Sequence, residues 1–261
     1  MTRPLLEVAG VTVRFGGVTA VDDVSFDVHE GELLGLIGPN GAGKTTMLRA
    51  ITGVVRTDSG KITLRGEPLD ALSIDARIRK GLALSQQIVK PFREISVLDN
   101  VVLAAGFAKT RFPMGALLNL SQVAERKTAH AMLSRVDIAG YAEQSPAILP
   151  LGILKRLEMA RALAQNPRLL LLDEPLAGLN SNESEALATT IADINRQGLT
   201  IILIEHNLGE ILRVSRRLLV MDNGRKIADG VPMTVMSDPS VRTAYLGGEP
   251  AHVETPSHVL D

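Results

Sequence analysis

Cysteine is absent from the 261-residue chain. That excludes structural disulfides, cysteine-ligated zinc, iron–sulfur clusters and a thiol nucleophile. Tryptophan is absent too, and two tyrosines and five phenylalanines are the whole aromatic complement. Neither sign of charge predominates. Lys and Arg number 28 against 29 Asp and Glu, a net charge of −1. Sequence-independent nucleic-acid binding needs a basic surface to displace counterions, so no nucleic-acid partner is expected. No apolar run approaches the ~18 residues of a membrane span. The opening Met-Thr-Arg-Pro-Leu-Leu-Glu lacks the apolar core of a secretion signal. A soluble intracellular protein is expected, and work at a membrane would need a separate spanning partner.

What is present is a sizeable apolar fraction, 45%, and a length that fits one large domain or two small ones at roughly 150 residues each. Short β-branched or leucine-rich runs alternate with helical patterns, which predicts a mostly parallel sheet covered by helices. Leu5–Val13, Val24–Val28, Leu33–Ile37 and Lys61–Leu64 read as strands. Leu169–Leu172 and Thr200–Ile204 are continuous apolar runs, as expected of strands buried on both faces. Arg217–Met221 and Arg225–Ala228 flank Asp222-Asn223-Gly224 and read as a hairpin. Lys44–Thr52 reads as a helix. Ser96 to about Arg135 has helical spacing and little strand character, which predicts a helical insertion. The tail after Gly248 holds two prolines and two histidines and is expected to be poorly ordered.

Gly38-Pro39-Asn40-Gly41-Ala42-Gly43-Lys44-Thr45 fits G-x-x-x-x-G-K-[ST] between an apolar strand and a helix. Gly41 and Gly43 let the backbone curl so that successive N–H groups face a phosphate. The helix beginning near Lys44 adds its positive dipole end. Lys44 is placed to reach the β- and γ-phosphates, the Thr45 hydroxyl to ligate Mg²⁺, and Thr46 to support the α-phosphate.

Leu169–Leu172 ends in Asp173-Glu174-Pro175. Asp173 at such a strand end is placed to hold Mg²⁺ through water, and Glu174 to orient or deprotonate the attacking water. His206 follows the strand Thr200–Ile204 and Glu205. A lone histidine there is more often structural, yet a polar group leaving the sheet at this edge could contact a γ-phosphate. Gln87, just after a short strand candidate, is unremarkable on its own. Phe15, beside Gly16 and Gly17, suits either stacking on a purine or a place in the core.

Taken together, these residues resemble an ABC-transporter ATP-binding subunit from Leu5 to about Gly248. The order is specific: Phe15, the loop Gly38–Thr46, Gln87, a signature region Leu149–Ile153, Asp173-Glu174, the turn Ala177–Asn180, and His206. The resemblance implies an α/β P-loop NTPase core with a small antiparallel β region and an inserted helical subdomain. It implies one ATPase domain over 1–248, with the core at about 1–86 and 160–248 and the insertion at about 87–159. It also implies ATP and Mg²⁺ as cofactors and a head-to-tail dimer with a second ATP-binding subunit. In that dimer the loop of one subunit faces the signature of the other, so Pro150 and Gly152 join the nucleotide-binding set. Gln87 would sense Mg²⁺, and the insertion would dock on membrane-spanning permease subunits. Apolar surface around Phe92, Ile95 and Phe107 is expected there.

Within the family, Phe92–Asn100, Arg156–Leu163 and Asp238–Gly247 resemble the branched-chain amino acid importer group. That implies a peripheral subunit at the cytoplasmic face of the inner membrane, working with an external solute-binding protein. Relatives of the group also move urea, amides and aromatic acids. An ATPase of the lipopolysaccharide-export type, or a soluble non-transport ABC ATPase, is the alternative. One departure stands out. Where the family usually has Leu-Ser-Gly-Gly-Gln, this chain has Leu149-Pro150-Leu151-Gly152-Ile153. Pro150 offers neither hydroxyl nor N–H to a phosphate.

Overall fold

The computed structural model describes residues 3–85, 90–107 and 122–246. Gln87, the stretch 109–121 and the tail 249–261 lie outside the described residues, as does the side chain of Phe107.

Two sheets form the frame. The first is antiparallel, in the order β2-β1-β4-β5, with β1 Leu6–Phe15, β2 Val18–Val28, β4 Ser59–Leu64 and β5 Glu67–Pro68. The second has the order β10-β9-β3-β8-β7-β6. Its strands are β3 Leu33–Ile37, β6 Leu82–Ser85, β7 Leu169–Asp173, β8 Thr200–Ile204, β9 Arg217–Asp222 and β10 Arg225–Gly230. All its neighbours pair in parallel except β10, which returns from β9 by the Asn223-Gly224 turn. Both sheets and the helices around them match the expected P-loop architecture.

The central strands are buried on both faces, and alternate residues feed two cores. Leu34, Leu36, Leu169, Leu171, Ile202 and Ile204 pack with the antiparallel sheet and helix α1, Lys44–Thr52. Leu33, Ile37, Leu170, Leu172, Ile201 and Leu203 face the other helices. This is the period-2 division of a strand, applied to a sheet with no wet face. On that second side α3 (Val97–Phe107) packs on α4 (Gln122–Arg135) and α5 (Leu151–Ala164), and α6 (Ser181–Arg196) packs beside them. Short helices α2 (Ile74–Arg79), α7 (Leu208–Val214), α8 (Pro232–Ser237) and α9 (Pro239–Leu246) complete the chain. No helix among the described residues is long and apolar enough to cross a membrane.

Several boundaries differ from the sequence reading. Strand β2 begins at Val18 rather than Val24. Asp22 and Asp23 interrupt the apolar pattern, but the ladder with β1 runs through them by shifts of register, with Asp23 at φ +51°. Strand β1 likewise extends to Phe15, because Phe15 pairs with Val18 across the Gly16-Gly17 turn. Helix α5 starts at Leu151, directly after Pro150, which at φ −65° is its N-cap.

Candidate nucleotide-binding site

The segment after β3 turns through Gly38, Gly41 and Gly43, at φ +148°, +80° and +95°. Two of these admit no side chain. A Cβ on Gly38 would lie 2.0 Å from the Met221 carbonyl oxygen, and one on Gly43 2.3 Å from that of Ala20. The loop is therefore set between the two sheets, backbone against backbone. Gly43 caps α1 with no side-chain hydrogen bond, so the first-turn N–H groups of α1 face outward with the positive end of the helix dipole. Pro39 and Asn40 form the outer turn and Ala42 is buried within it.

Lys44 is buried, and its Nζ donates to the carbonyls of Gly38 at 2.8 Å and Pro39 at 2.9 Å. Burial lowers its pKa, while Glu174 and Asp173 act in the opposite direction. The Thr45 hydroxyl donates to Asp173 Oδ1 at 3.3 Å. Asp173 is raised by its own burial and by neighbouring Glu174. Thr46 follows, half-buried.

Strand β8 lies between β3 and β7, so the loops leaving the three strands meet at one edge, where open α/β sheets bind ligands. From β7 comes Glu174, whose Oε1 lies 2.7 Å from His206 Nε2. From β8 comes His206, partly exposed. Glu174 holds a left-handed φ of +51°, and its N–H donates to the Ile204 carbonyl at 3.0 Å.

Lys44, Thr45, Asp173, Glu174 and His206 thus lie together at this edge. Phe15 is 50% exposed, which rules out the core alternative. Pro150 and Gly152 are grouped elsewhere in the chain. A Cβ on Gly152 would meet Glu183 at 3.2 Å, and one on Gly178 would meet Leu151 at 2.9 Å. The start of α5 therefore packs against the turn 177–180 and the head of α6. Phe92 is 54% exposed and lies under the Arg161 guanidinium, 5.5 Å from ring centre to charge. Ile95 is half-buried.

Three residues escaped the sequence reading. Glu205 is buried and accepts the N–H of Leu176 at 2.7 Å and that of His206 at 3.3 Å. Burial pushes its carboxyl up to about 7. Lys155 in α5 is buried and donates to the Glu174 carbonyl at 3.3 Å. Tyr245 of α9 is half-buried, and burial raises its pKa to about 12 while the Gly38 backbone acts in the opposite direction. The available signals were a carboxylate directly after a wholly apolar strand, and a lysine two residues past Ile153.

The residues fit a nucleotide with Mg²⁺. Gly38 and Gly43 leave room for backbone alone, and a hydroxyl and a carboxylate stand side by side as hard oxygen donors. No group of three or more His, Asp or Glu able to hold a metal occurs among the described residues. A cation here would share its shell with oxygens of a ligand.

A family model described as ABC transporter matches residues 21–177. A second, described as branched-chain amino acid ATP-binding cassette transporter, matches residues 225–251. BraF of Pseudomonas aeruginosa, a high-affinity branched-chain amino acid transport ATP-binding protein, is 37% identical over 254 residues, 95% of this chain and 99% of BraF. LivG of Escherichia coli, described in the same terms, is 37% identical over 253 residues, with coverages of 95% and 99%. LptB of Haemophilus influenzae, a lipopolysaccharide export system ATP-binding protein, is 35% identical over 227 residues, 87% of this chain and 90% of LptB. The ADP conformation of an ATP-binding cassette from an ABC transporter superposes with a TM-score of 0.83 at 28% identity, over 94% of this chain and all of that one. A loop built for phosphate, two strand-end acids beside it and these relatives over nearly the whole length agree: the chain belongs to the ATP-binding subunits of the ABC transporters.

Proposed function

We propose that this chain is the ATP-hydrolysing motor of an importer for branched-chain amino acids or related small polar solutes. The observation that carries the hydrolytic part is the convergence of Lys44, Thr45, Asp173, Glu174 and His206 at the edge of β3, β8 and β7. The match of residues 225–251 to the branched-chain amino acid model supports the importer over the lipopolysaccharide-export alternative.

In this reading the loop Gly38–Thr46 binds the triphosphate through backbone N–H groups and Lys44, and Phe15 stacks on the base. Thr45, Asp173 and Gln87 would hold Mg²⁺, which when bound neutralises charge on the phosphate oxygens. Glu174 accepts a proton from water as the water oxygen bonds to the γ-phosphorus and the bond to the β,γ-bridging oxygen breaks. His206 fixes the Glu174 carboxylate through the 2.7 Å contact and turns its ring toward the γ-phosphate. Pro150 and Gly152 serve the nucleotide of a second ATP-binding subunit, related or identical, in a head-to-tail dimer. The domain spans 1–248, with its core at about 1–86 and 160–248. The insertion at about 87–159, with Phe92 at its surface, docks on the permease subunits of a peripheral complex at the cytoplasmic face of the inner membrane. An external solute-binding protein delivers the cargo.

Substituting Glu174→Gln keeps the shape and removes the base. Turnover should fall by at least ~10² while ATP binding persists. Unchanged turnover would refute the assignment. Co-purification with permease subunits from detergent-solubilised membranes, and ATP-driven uptake of labelled leucine by the reconstituted complex, test the transport part.

A further inference from the structure

Lys155 and Glu205 are only 6% and 3% exposed, a costly place for two ionisable side chains. They interact electrostatically with each other and with Glu174. Stability alone does not call for such a pair, because well-packed apolar residues of the same volume usually serve as well or better. What the pair supplies is directed hydrogen bonds. Each oxygen of Glu205 accepts one backbone N–H. One belongs to Leu176, two residues after Glu174, and the other to His206. Lys155 Nζ takes the Glu174 carbonyl itself.

These contacts enclose a strained residue. Glu174 holds φ +51°, a left-handed conformation that a non-glycine residue keeps only when its surroundings over-determine it. On one side its N–H is tied to Ile204. On the other, its carbonyl is tied to Lys155 and the following N–H of Leu176 to Glu205. The side chain then lies against His206, whose own backbone is held by the same Glu205.

We infer that Lys155 and Glu205 are positioning residues for hydrolysis, holding Glu174 in its left-handed backbone conformation and joining helix α5 to the carboxylate. The inference rests on the proposed role of Glu174. It gives α5 two duties. Its N-terminus at Pro150 packs on the turn 177–180, and one turn later the same helix grips the backbone of Glu174. A shift of α5 therefore moves the proposed base of its own chain. A displacement near 1 Å can cost on the order of 10² in rate.

The test compares Lys155→Met, Lys155→Arg and Lys155→Met/Glu205→Gln with wild type and Glu174→Gln in the full chain. Steady-state ATPase, ATP titration and thermal melting are the readouts. Lys155→Met should lower kcat ~10- to 100-fold with the KM and Kd for ATP within ~3-fold of wild type, and Lys155→Arg should recover most of the loss. The double variant removes both buried ionisable groups, so no charge is left without a partner in the core, and with a melting temperature near that of wild type it should stay as slow as Lys155→Met. Lys155→Met within 2-fold of wild type, or a double variant that regains wild-type turnover, overturns the inference while leaving an inactive Glu174→Gln, and so the role of Glu174, intact. An active Glu174→Gln overturns the role of Glu174 and the positioning role with it.

Discussion

The guanidinium of Arg77 donates to the carbonyls of Ala50 and Ile51 at 2.7 and 2.8 Å, closing the far end of the helix whose near end forms the phosphate loop. Its Nε takes the Leu72 carbonyl at 3.2 Å. A Cβ on Gly53 would stand 2.8 Å from that nitrogen, so the helix must end in glycine for the arginine to fit. A cation at a helix C-terminus opposes the negative end of the dipole. Burial nevertheless holds the guanidinium below its usual pKa, which marks the desolvation these bonds offset.

Replacing Arg77 by Met keeps the volume and strands three carbonyls in a site only 5% exposed. A loss of roughly 2–4 kcal/mol is expected. In a chain of this size that lowers the melting temperature by roughly 5–15 °C. Thermal denaturation checks it, and a shift under 2 °C would show that the carbonyls find water instead.

Lys44→Ala removes the cation facing the triphosphate. ATP affinity should fall at least ~10-fold, as a charge-assisted contact worth roughly 1.5–3 kcal/mol is lost. Isothermal titration decides it, and wild-type affinity would contradict the phosphate-loop assignment.

Glu205 gives a pH dependence of defined sign. Its folded pKa, about 7, lies above its ordinary value of 4.5. Between those values the folded chain holds a proton that the unfolded chain has released. Its contribution to stability is therefore complete below about pH 4.5 and declines as pH rises to about 7, with a slope of at most ~1.4 kcal/mol per unit. Urea denaturation from pH 5 to 8 should show Glu205→Gln with a flatter profile than wild type. Parallel profiles would exclude the buried carboxyl as the source.

At the altered signature, Pro150 caps α5 without a side-chain hydrogen bond. Pro150→Ser supplies a hydroxyl to the helix end and, in a head-to-tail dimer, to the opposing phosphate. ATP-driven dimerisation in the Glu174→Gln background should tighten ~10-fold or more, read by analytical ultracentrifugation. The cap alone would raise stability by ~1 kcal/mol without changing dimerisation, so melting and self-association separate the two effects.

The parts of the site that depend on local chemistry were legible in the sequence. Glycines before Lys44 and two acids after four leucines need little beyond their neighbours to be read, whereas His206 took its meaning from the family resemblance. The hairpin was legible too, since Asn223-Gly224 carries its own turn preference. Lys155 and Glu205 were not legible, because their meaning lies in which distant backbone atoms they meet. A lysine in a helix is ordinarily a solvated residue, and this one is buried against the Glu174 carbonyl by tertiary packing. Strand β2 was shortened in the reading for a similar reason: Asp22 and Asp23 break the apolar alternation, while pairing with β1 carries the strand through them.

The placement of β3 has a consequence for biosynthesis. This strand, buried along its whole length, is flanked by β8 and β9, and Gly31 just before it bonds Thr200, 169 positions later in the chain. A ribosome adding roughly 5–20 residues per second takes on the order of ten to thirty seconds to cover that gap. Throughout that interval the nascent chain carries an apolar ribbon with both edges open, inviting pairing with other chains. The phosphate loop hangs from this ribbon, so nucleotide capture begins only when the last quarter of the chain has emerged.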